Sequence, residues 1–237
     1  MNDEHTIVSR EEWLAARKRL LTREKEFTRL KDELNQQRRS LPWERVDKNY
    51  KFQTESGTKS LAALFGNKSQ LAVYHFMFAP SWEAACKSCS FWADNFNGIT
   101  PHLAQRDIQL VAISRAPLSK LTPFAKRMGW SFPWVSSSET DFNFDYQVSF
   151  RPEDLAAGKT AYNFGTSDDA DEELPGISMF YKDESGALFH TYSCFARGIE
   201  IVNGAYQWID LAPKGRGDEA ELAHPMAWLR FRDEYPR

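Results

Sequence analysis

The stretch "LAVYHFMFAPSWEAACKSCSFW", Leu71 to Trp92, sets the fold. Its first half, "LAVYHFMF", is a continuous apolar run of strand length, the pattern of a parallel strand buried on both faces. Its second half carries two of the three cysteines, Cys86 and Cys89, three positions apart. A cysteine that opens a helix after a buried strand meets unpaired backbone N–H groups, which favour thiolate over thiol. A second cysteine one turn later brings the sulfurs within disulfide range while covering itself. Cys86 is then the expected nucleophile and Cys89 the resolving thiol.

The segment from Cys86 to about Asp107 reads as the following helix, with Pro101 kinking or dividing it. "IQLVAIS" is the next strand, Pro117 to Met128 a second helix closed by Gly129, and "SFPWVSS" a shorter strand. This is a β-α-β-α-β order. Upstream, "YKFQTESGTKSLAALFG" reads as strand, Ser-Gly turn and one helical turn. Downstream, "ISMFYKD", "ESG" and "ALFHTYS" make a hairpin, followed by "AYQWIDL", a Gly/Lys/Arg-rich loop and an expected amphipathic helix, "HPMAWLRFRDEY". Between Glu139 and Glu173 ten acidic residues face two basic ones. There, Phe142, Phe144, Tyr146, Val148 and Phe150 alternate with polar residues, so "DFNFDYQVSF" is expected to be a half-buried strand. "RPEDLAAGKT" and "GTSDDADEELPG" read as loop.

The N-terminal segment is different. Ser9 and Glu12 match a capping box, no Gly or Pro occurs before Pro42, and helix formers dominate, so Ser9 to about Arg39 is expected to be one helix. Trp13, Leu20, Phe27 and Leu34 recur every seven residues, with Ala16 and Leu30 on the same face. Such a stripe packs on its own domain or makes a coiled-coil contact with a second copy. The expected organisation is an arm over 1–44, an α/β domain over 45–215 and a C-terminal loop with a short helix over 216–237.

Composition narrows the function. With 42% hydrophobic and 27% charged residues and a net charge of −3, the 237-residue chain reads as soluble and globular, without a basic surface for nucleic acid. No apolar run reaches membrane-span length and the N-terminus lacks a secretory layout, so a cytoplasmic location and no membrane partner are expected. Three cysteines in such a chain make no disulfide framework, so their role is local. A zinc site would need two ligands beyond Cys86 and Cys89. His190 and Cys194 are the available pair, but four apart in a strand they lie about 13 Å from one another. His75 reads as a satisfied core histidine, His102 as a surface residue, and Phe91 and Trp92 as core. Arg197 reads as a surface ion pair.

A C-x-x-C motif after a hydrophobic strand, opening a helix and followed by β-α-β and a hairpin, resembles the thioredoxin-like fold. More narrowly, "LAVYHFMF", "SCSFWADNFNG", "FPWVSS", "DFNFDY", "PGISMFY", "FHTYS" and "ARG" are similar to the domain-of-unknown-function 899 family, thought to be dithiol-disulfide oxidoreductases. The resemblance implies a central mixed sheet flanked by helices, with Cys86 and Cys89 as the redox pair. It also implies a cis-proline ahead of the strand facing the dithiol, where Pro175, followed by Gly176, is the nearest match, and a loop tryptophan, Trp82, near the substrate. Thiol–disulfide exchange with a disulfide-bearing protein or small molecule follows, with electrons from another thiol donor and no cofactor. A peroxiredoxin-like peroxidase would carry Thr or Ser three residues before Cys86, where this chain has Glu83. A non-enzymatic thioredoxin-fold binding protein is the remaining alternative.

Overall fold

The computed structural model describes residues 5–158, 160–167, 171–217 and 222–236. They divide into two units, Met1–Pro42 and Trp43–Arg237. The first is a single helix, α1 (Arg10–Arg39), whose capping box forms as expected: Ser9 Oγ accepts from the Glu12 N–H while the Glu12 carboxylate accepts from the Ser9 N–H. It buries none of its residues.

The second unit is built on one eight-stranded mixed sheet. In chain order its elements are β1 (Glu44–Arg45), β2 (Lys51–Thr54), β3 (Gly57–Ser60), α2 (Leu61–Leu64), β4 (Gln70–His75), α3 (Lys87–Ala93), α4 (Thr100–Gln105), β5 (Ile108–Ser114), α5 (Leu118–Met128) and β6 (Trp134–Ser136). There follow α6 (Phe142–Asp145), α7 (Pro152–Ala156), β7 (Thr160–Tyr162), β8 (Gly165–Ser167), β9 (Gly176–Lys182), β10 (Leu188–Phe195), a 3-10 segment Ala196–Val202 and α8 (Gly204–Leu211). The sheet order is β1-β10-β9-β4-β5-β6-β2-β3. β4, β5 and β6 run parallel, while β9 lies antiparallel to β4 and β10 to β9. A dithiol helix leaving the end of a central parallel strand, with a C-terminal hairpin on the other side of that strand, is the thioredoxin-like arrangement.

Because β4 alternates, its residues feed two cores. Tyr74 and Phe76 join Trp92, Ala112 and Trp134 on one face, and Leu71 and Val73 join Phe52, Ile113, Phe142 and Phe180 on the other. The two-faced burial expected of "LAVYHFMF" is therefore present.

Three local expectations fail, and a fourth holds in part. The segment "DFNFDYQVSF" is not a strand: α6 and the turn after it set Phe142 and Tyr146, four apart, together against the second core. Phe144 leaves that row and lies between the guanidinium groups of Arg115 and Arg151, at 4.9 and 4.4 Å from its ring centre. The expected loops at 151–160 and 165–176 hold α7, opened by Pro152 at its first position, and the β7–β8 hairpin. Asp168, Asp169 and Ala170 of the acidic segment lie outside the described residues. The helix expected from Cys86 to Asp107 is divided, as Pro101 suggested: α3 stops at Ala93, and Pro101 stands in the first turn of a separate helix, α4. The C-terminal helix is α8; residues 224–235 form turns, from which Leu229 and Phe231 are individually buried. Residues 218–221 of the expected loop lie outside the described residues.

Candidate functional site

After β4 the chain turns back on itself. The Cys86 N–H donates to the Met77 carbonyl at 3.2 Å, which sets Cys86 at the mouth of the strand as the N-terminal cap of α3. The Cys86 backbone carbonyl accepts from both the N–H and the hydroxyl of Ser90, at 3.0 and 2.9 Å, locking the first turn. Cys86 Sγ accepts from the Cys89 N–H at 3.4 Å, and Cys89 Sγ from the Met77 N–H at 3.4 Å. Both sulfurs are thiols, Cys86 half-buried and Cys89 buried.

The two thiols differ in acidity. The neighbouring Cys89 thiol, with help from the backbone N–H groups of Cys89 and Ser88, pulls Cys86 down to about 7 against its burial. Burial pushes Cys89 well up, and the charge on Cys86 pushes it further. Near neutral pH a sizeable share of Cys86 is thiolate while Cys89 holds its proton. Tyr74 sits under the pair, its hydroxyl buried beside the Cys89 sulfur without a hydrogen bond of ordinary geometry.

Beside Cys89 opens a cleft of about 520 Å³. Its apolar wall includes Tyr74, Trp92, Pro175, Ile199 and Tyr206. Its rim is an ion-pair network in which Arg216 donates to Glu200 at 3.0 Å and to Asp210 at 2.8 Å while stacking on Tyr206, 4.0 Å from the ring centre. Arg197, also on the rim, donates to Glu200 at 2.9 Å, the surface ion pair expected of it.

Of the residues expected at the site, Cys89 and Pro175 line this cleft, while Cys86 stands at the head of α3 outside its lining. The peptide bond before Pro175 is trans, so the cis-proline that the resemblance implies is not found there. The Pro175 carbonyl accepts from the Tyr162 hydroxyl at 2.7 Å, and that hydroxyl accepts from the Ala196 N–H at 2.9 Å, so Tyr162 ties the β7–β8 hairpin to the cleft wall. Gly176 instead opens β9 inside the sheet, where a Cβ would stand 2.7 Å from the Phe195 ring. Only glycine fits there, and the reason is packing. Trp82 lies half-buried on the loop before Cys86 and packs on the core, its carbonyl accepting from Lys120 Nζ at 2.7 Å; it does not line the cleft. Trp92 is buried and donates to the Ile199 carbonyl at 2.9 Å.

Sequence reasoning missed Tyr74, Tyr162 and Arg216. Tyr74 alone had a local signal, being three residues ahead of Met77 on the strand that ends at the cysteines. It also missed a clamp at the end of β5. Arg115 donates to Glu173 through Nε and to Glu172 through Nη2 at 2.7 Å, and Ser149 donates to Glu173 at 2.6 Å. Glu173 is 1% exposed, and burial pushes it up to about 7 despite Arg115. The clamp fixes the segment that ends at Pro175.

His190 and Cys194 face opposite sides of β10, because the register shifts between His190 and Tyr192. Cys194 joins the Trp92 core, while His190 Nε2 bonds Ser193 Oγ at 2.7 Å. Among the described residues no group of three or more His, Cys, Asp or Glu is arranged to hold a metal ion. None of the described helices is long and apolar enough to cross a membrane.

A family described as "Bacterial protein of unknown function (DUF899)" matches residues 2–235. No curated protein matches the sequence. Among solved structures the chain is similar to the peroxidoxin BcpB of Mycobacterium tuberculosis, 13% identical with a TM-score of 0.44, over 70% of this chain and 96% of that one. It is similar to a cysteine-to-serine mutant of Xanthomonas campestris peroxiredoxin Q, 12% identical with a TM-score of 0.46, over 68% and 90% of the two chains. The yeast mitochondrial 1-Cys peroxiredoxin is 13% identical with a TM-score of 0.44, over 72% and 78%.

Proposed function

We propose that this chain, which belongs to the DUF899 family of bacterial proteins, carries out thiol–disulfide exchange through Cys86 and Cys89. The observation that carries the reading is the split acidity of the pair: a half-buried Cys86 pulled down to about 7 beside a buried Cys89 pushed well up. The Cys86 thiolate attacks one sulfur of a substrate disulfide, forming a mixed disulfide and expelling the other sulfur as a thiolate. Cys89 then gives up its proton and attacks Cys86 Sγ, releasing the second substrate thiolate and closing the Cys86–Cys89 disulfide. Two electrons pass from the dithiol to the substrate, and a second thiol donor restores the dithiol. Pro175 and the apolar wall it shares with Trp92 and Tyr206 supply a surface for the substrate, next to Cys89.

Glu83 weighs against peroxide reduction. It stands exposed three residues before Cys86, where a peroxidase would carry a hydroxyl to hydrogen-bond the peroxide. The test is trapping with Cys89→Ser. A stalled mixed disulfide on Cys86, together with a loss of two hydrogens from the native protein on mild oxidation, is expected. A native protein that keeps both hydrogens under those conditions would sink the proposal.

A further inference from the structure

We infer that α1 pairs with α1 of a second copy of this chain as a parallel, in-register coiled coil. Within its own unit nothing covers the apolar stripe: Trp13, Leu20, Phe27, Leu30 and Leu34 keep between 41% and 67% of their surface exposed. An exposed row of large apolar side chains along a helix calls for a partner.

The charges beside the stripe identify that partner. With Trp13, Leu20, Phe27 and Leu34 at the first core position of each heptad, the second core position holds Ala16, Arg23, Leu30 and Gln37. The preceding flank holds Glu12, Arg19, Glu26 and Glu33, and the following flank Arg17, Glu24, Lys31 and Arg38. In a parallel pair each preceding-flank residue faces the following-flank residue five positions on in the other helix. Those pairs are Glu12 with Arg17, Arg19 with Glu24, Glu26 with Lys31 and Glu33 with Arg38. All four are of opposite charge. In an antiparallel pair centred on the stripe like flanks meet: Glu12 against Glu33 and Arg17 against Arg38 repel while Arg19 against Glu26 and Glu24 against Lys31 attract, so the charges cancel where the parallel pair has attraction alone. The pattern therefore fits a second copy, and in one orientation.

The polar core positions also fit. Arg23 carries its own counter-charge, donating to Glu26 at 2.5 Å, so it enters the seam neutralised. Arg23 and Gln37 are the polar core positions, and such residues cost stability and fix register. Glu12 is engaged in the capping box; of the other three pairs on each side of the seam, Glu24 and Glu26 also accept from Arg17 and Arg23 of their own helix, so those pairs are shared.

The full-length protein provides the test, with mass read by light scattering or sedimentation in low salt. One variant reverses the preceding flank (Arg19→Glu, Glu26→Lys, Glu33→Lys) and a second reverses the following flank (Glu24→Lys, Lys31→Glu, Arg38→Glu). Glu12 is left alone to preserve the cap, and circular dichroism checks that helix content is kept. The wild-type chain is expected to dimerise, and each variant alone to dissociate at least ~100-fold more readily, because six attractive exposed pairs become repulsive. Mixing the two variants is expected to restore a dimer containing one of each. A wild-type chain that stays monomeric at roughly 100 µM, the weak end of specific association, overturns the inference. So does a dimer indifferent to both reversals, since an antiparallel helix pair or an interface elsewhere would behave in that way.

Discussion

The two faces of the central sheet each bury titratable side chains, and they use burial to opposite ends. On the dithiol face, Cys86 is half-buried and supplied with donors from its own helix, so it falls to about 7 and carries charge at neutral pH. On the other face His75 is fully enclosed. Burial holds it down to about 3, with His190 adding to the shift, so it stays neutral. Its Nε2 bonds Ser178 Oγ at 2.8 Å, which bonds Ser193 Oγ at 2.8 Å, while Nδ1 has no partner among the described residues. Burial alone suppresses charge; burial with aimed N–H donors selects which of two identical groups bears it.

Removing the charge-bearing atom separates the two faces most directly. Cys86→Ser is expected to lower disulfide reduction by at least ~1,000-fold, since a hydroxyl is not a thiolate near neutral pH. Thermal melting should be nearly unchanged, because Ser Oγ can still cap α3. The opposite face should show the inverse pattern. Phe142 is fully buried among Tyr50, Phe52 and Tyr146, and Phe142→Ala is expected to cost about 3–5 kcal/mol in urea unfolding. The Cys86 thiolate absorbance should still titrate near 7. A shift of that titration would show that the faces are coupled through β4.

The same contrast extends to pH. Disulfide reduction should climb about tenfold per pH unit below 7 and level off above it, as Cys86 ionises. His75 acts on stability instead. Its native value is depressed, so the unfolded chain takes up a proton first as pH falls below about 6.5. Stability is then lost progressively down to about pH 3. His75→Gln, which keeps a hydrogen-bonding side chain near Ser178, should flatten that acid limb by up to ~1.4 kcal/mol per pH unit. A variant with an unaltered acid limb would place the proton uptake elsewhere.

How far the sequence carried these conclusions depends on whether a feature is local. The capping box of α1, the apolar run of β4 and the cysteine at the head of α3 all operate through near neighbours, and each was legible. The aromatic run 142–150 was misleading because a period of two contains a period of four: Phe142 and Tyr146 fit a strand face and a helix face equally well. Docking on the second core decided it. The rim of Arg216, Glu200 and Asp210 unites the chain's positions 200, 210 and 216 only through the folding of α8 and the turn after it. The Arg115–Glu173 clamp spans 58 positions, with no local pattern to reveal it. Leu229 and Phe231 reach the core from turns, anchored singly, where amphipathic spacing suggested a helix.

The smallest expected effect concerns the resolving thiol. Tyr74 comes from the dithiol face of β4, and its hydroxyl is buried beside Cys89 without a well-formed hydrogen bond while Cys89 is a thiol. Once Cys89 loses its proton to attack the mixed disulfide, that hydroxyl becomes a donor to a buried thiolate, and hydrogen bonds to charged groups exceed those to neutral ones. Tyr74 thus lowers the cost of a thiolate that burial otherwise opposes. Tyr74→Phe should slow release of the mixed disulfide by ~3–10-fold, a part of the 1.5–3 kcal/mol range for such bonds. Attack by Cys86 should be unchanged, and stability equal or slightly higher, because a buried hydroxyl without a partner has been removed. Stopped-flow kinetics separates the two steps. If the first step slowed instead, Tyr74 would be acting on Cys86, and the division of labour between the two sulfurs would have to be redrawn.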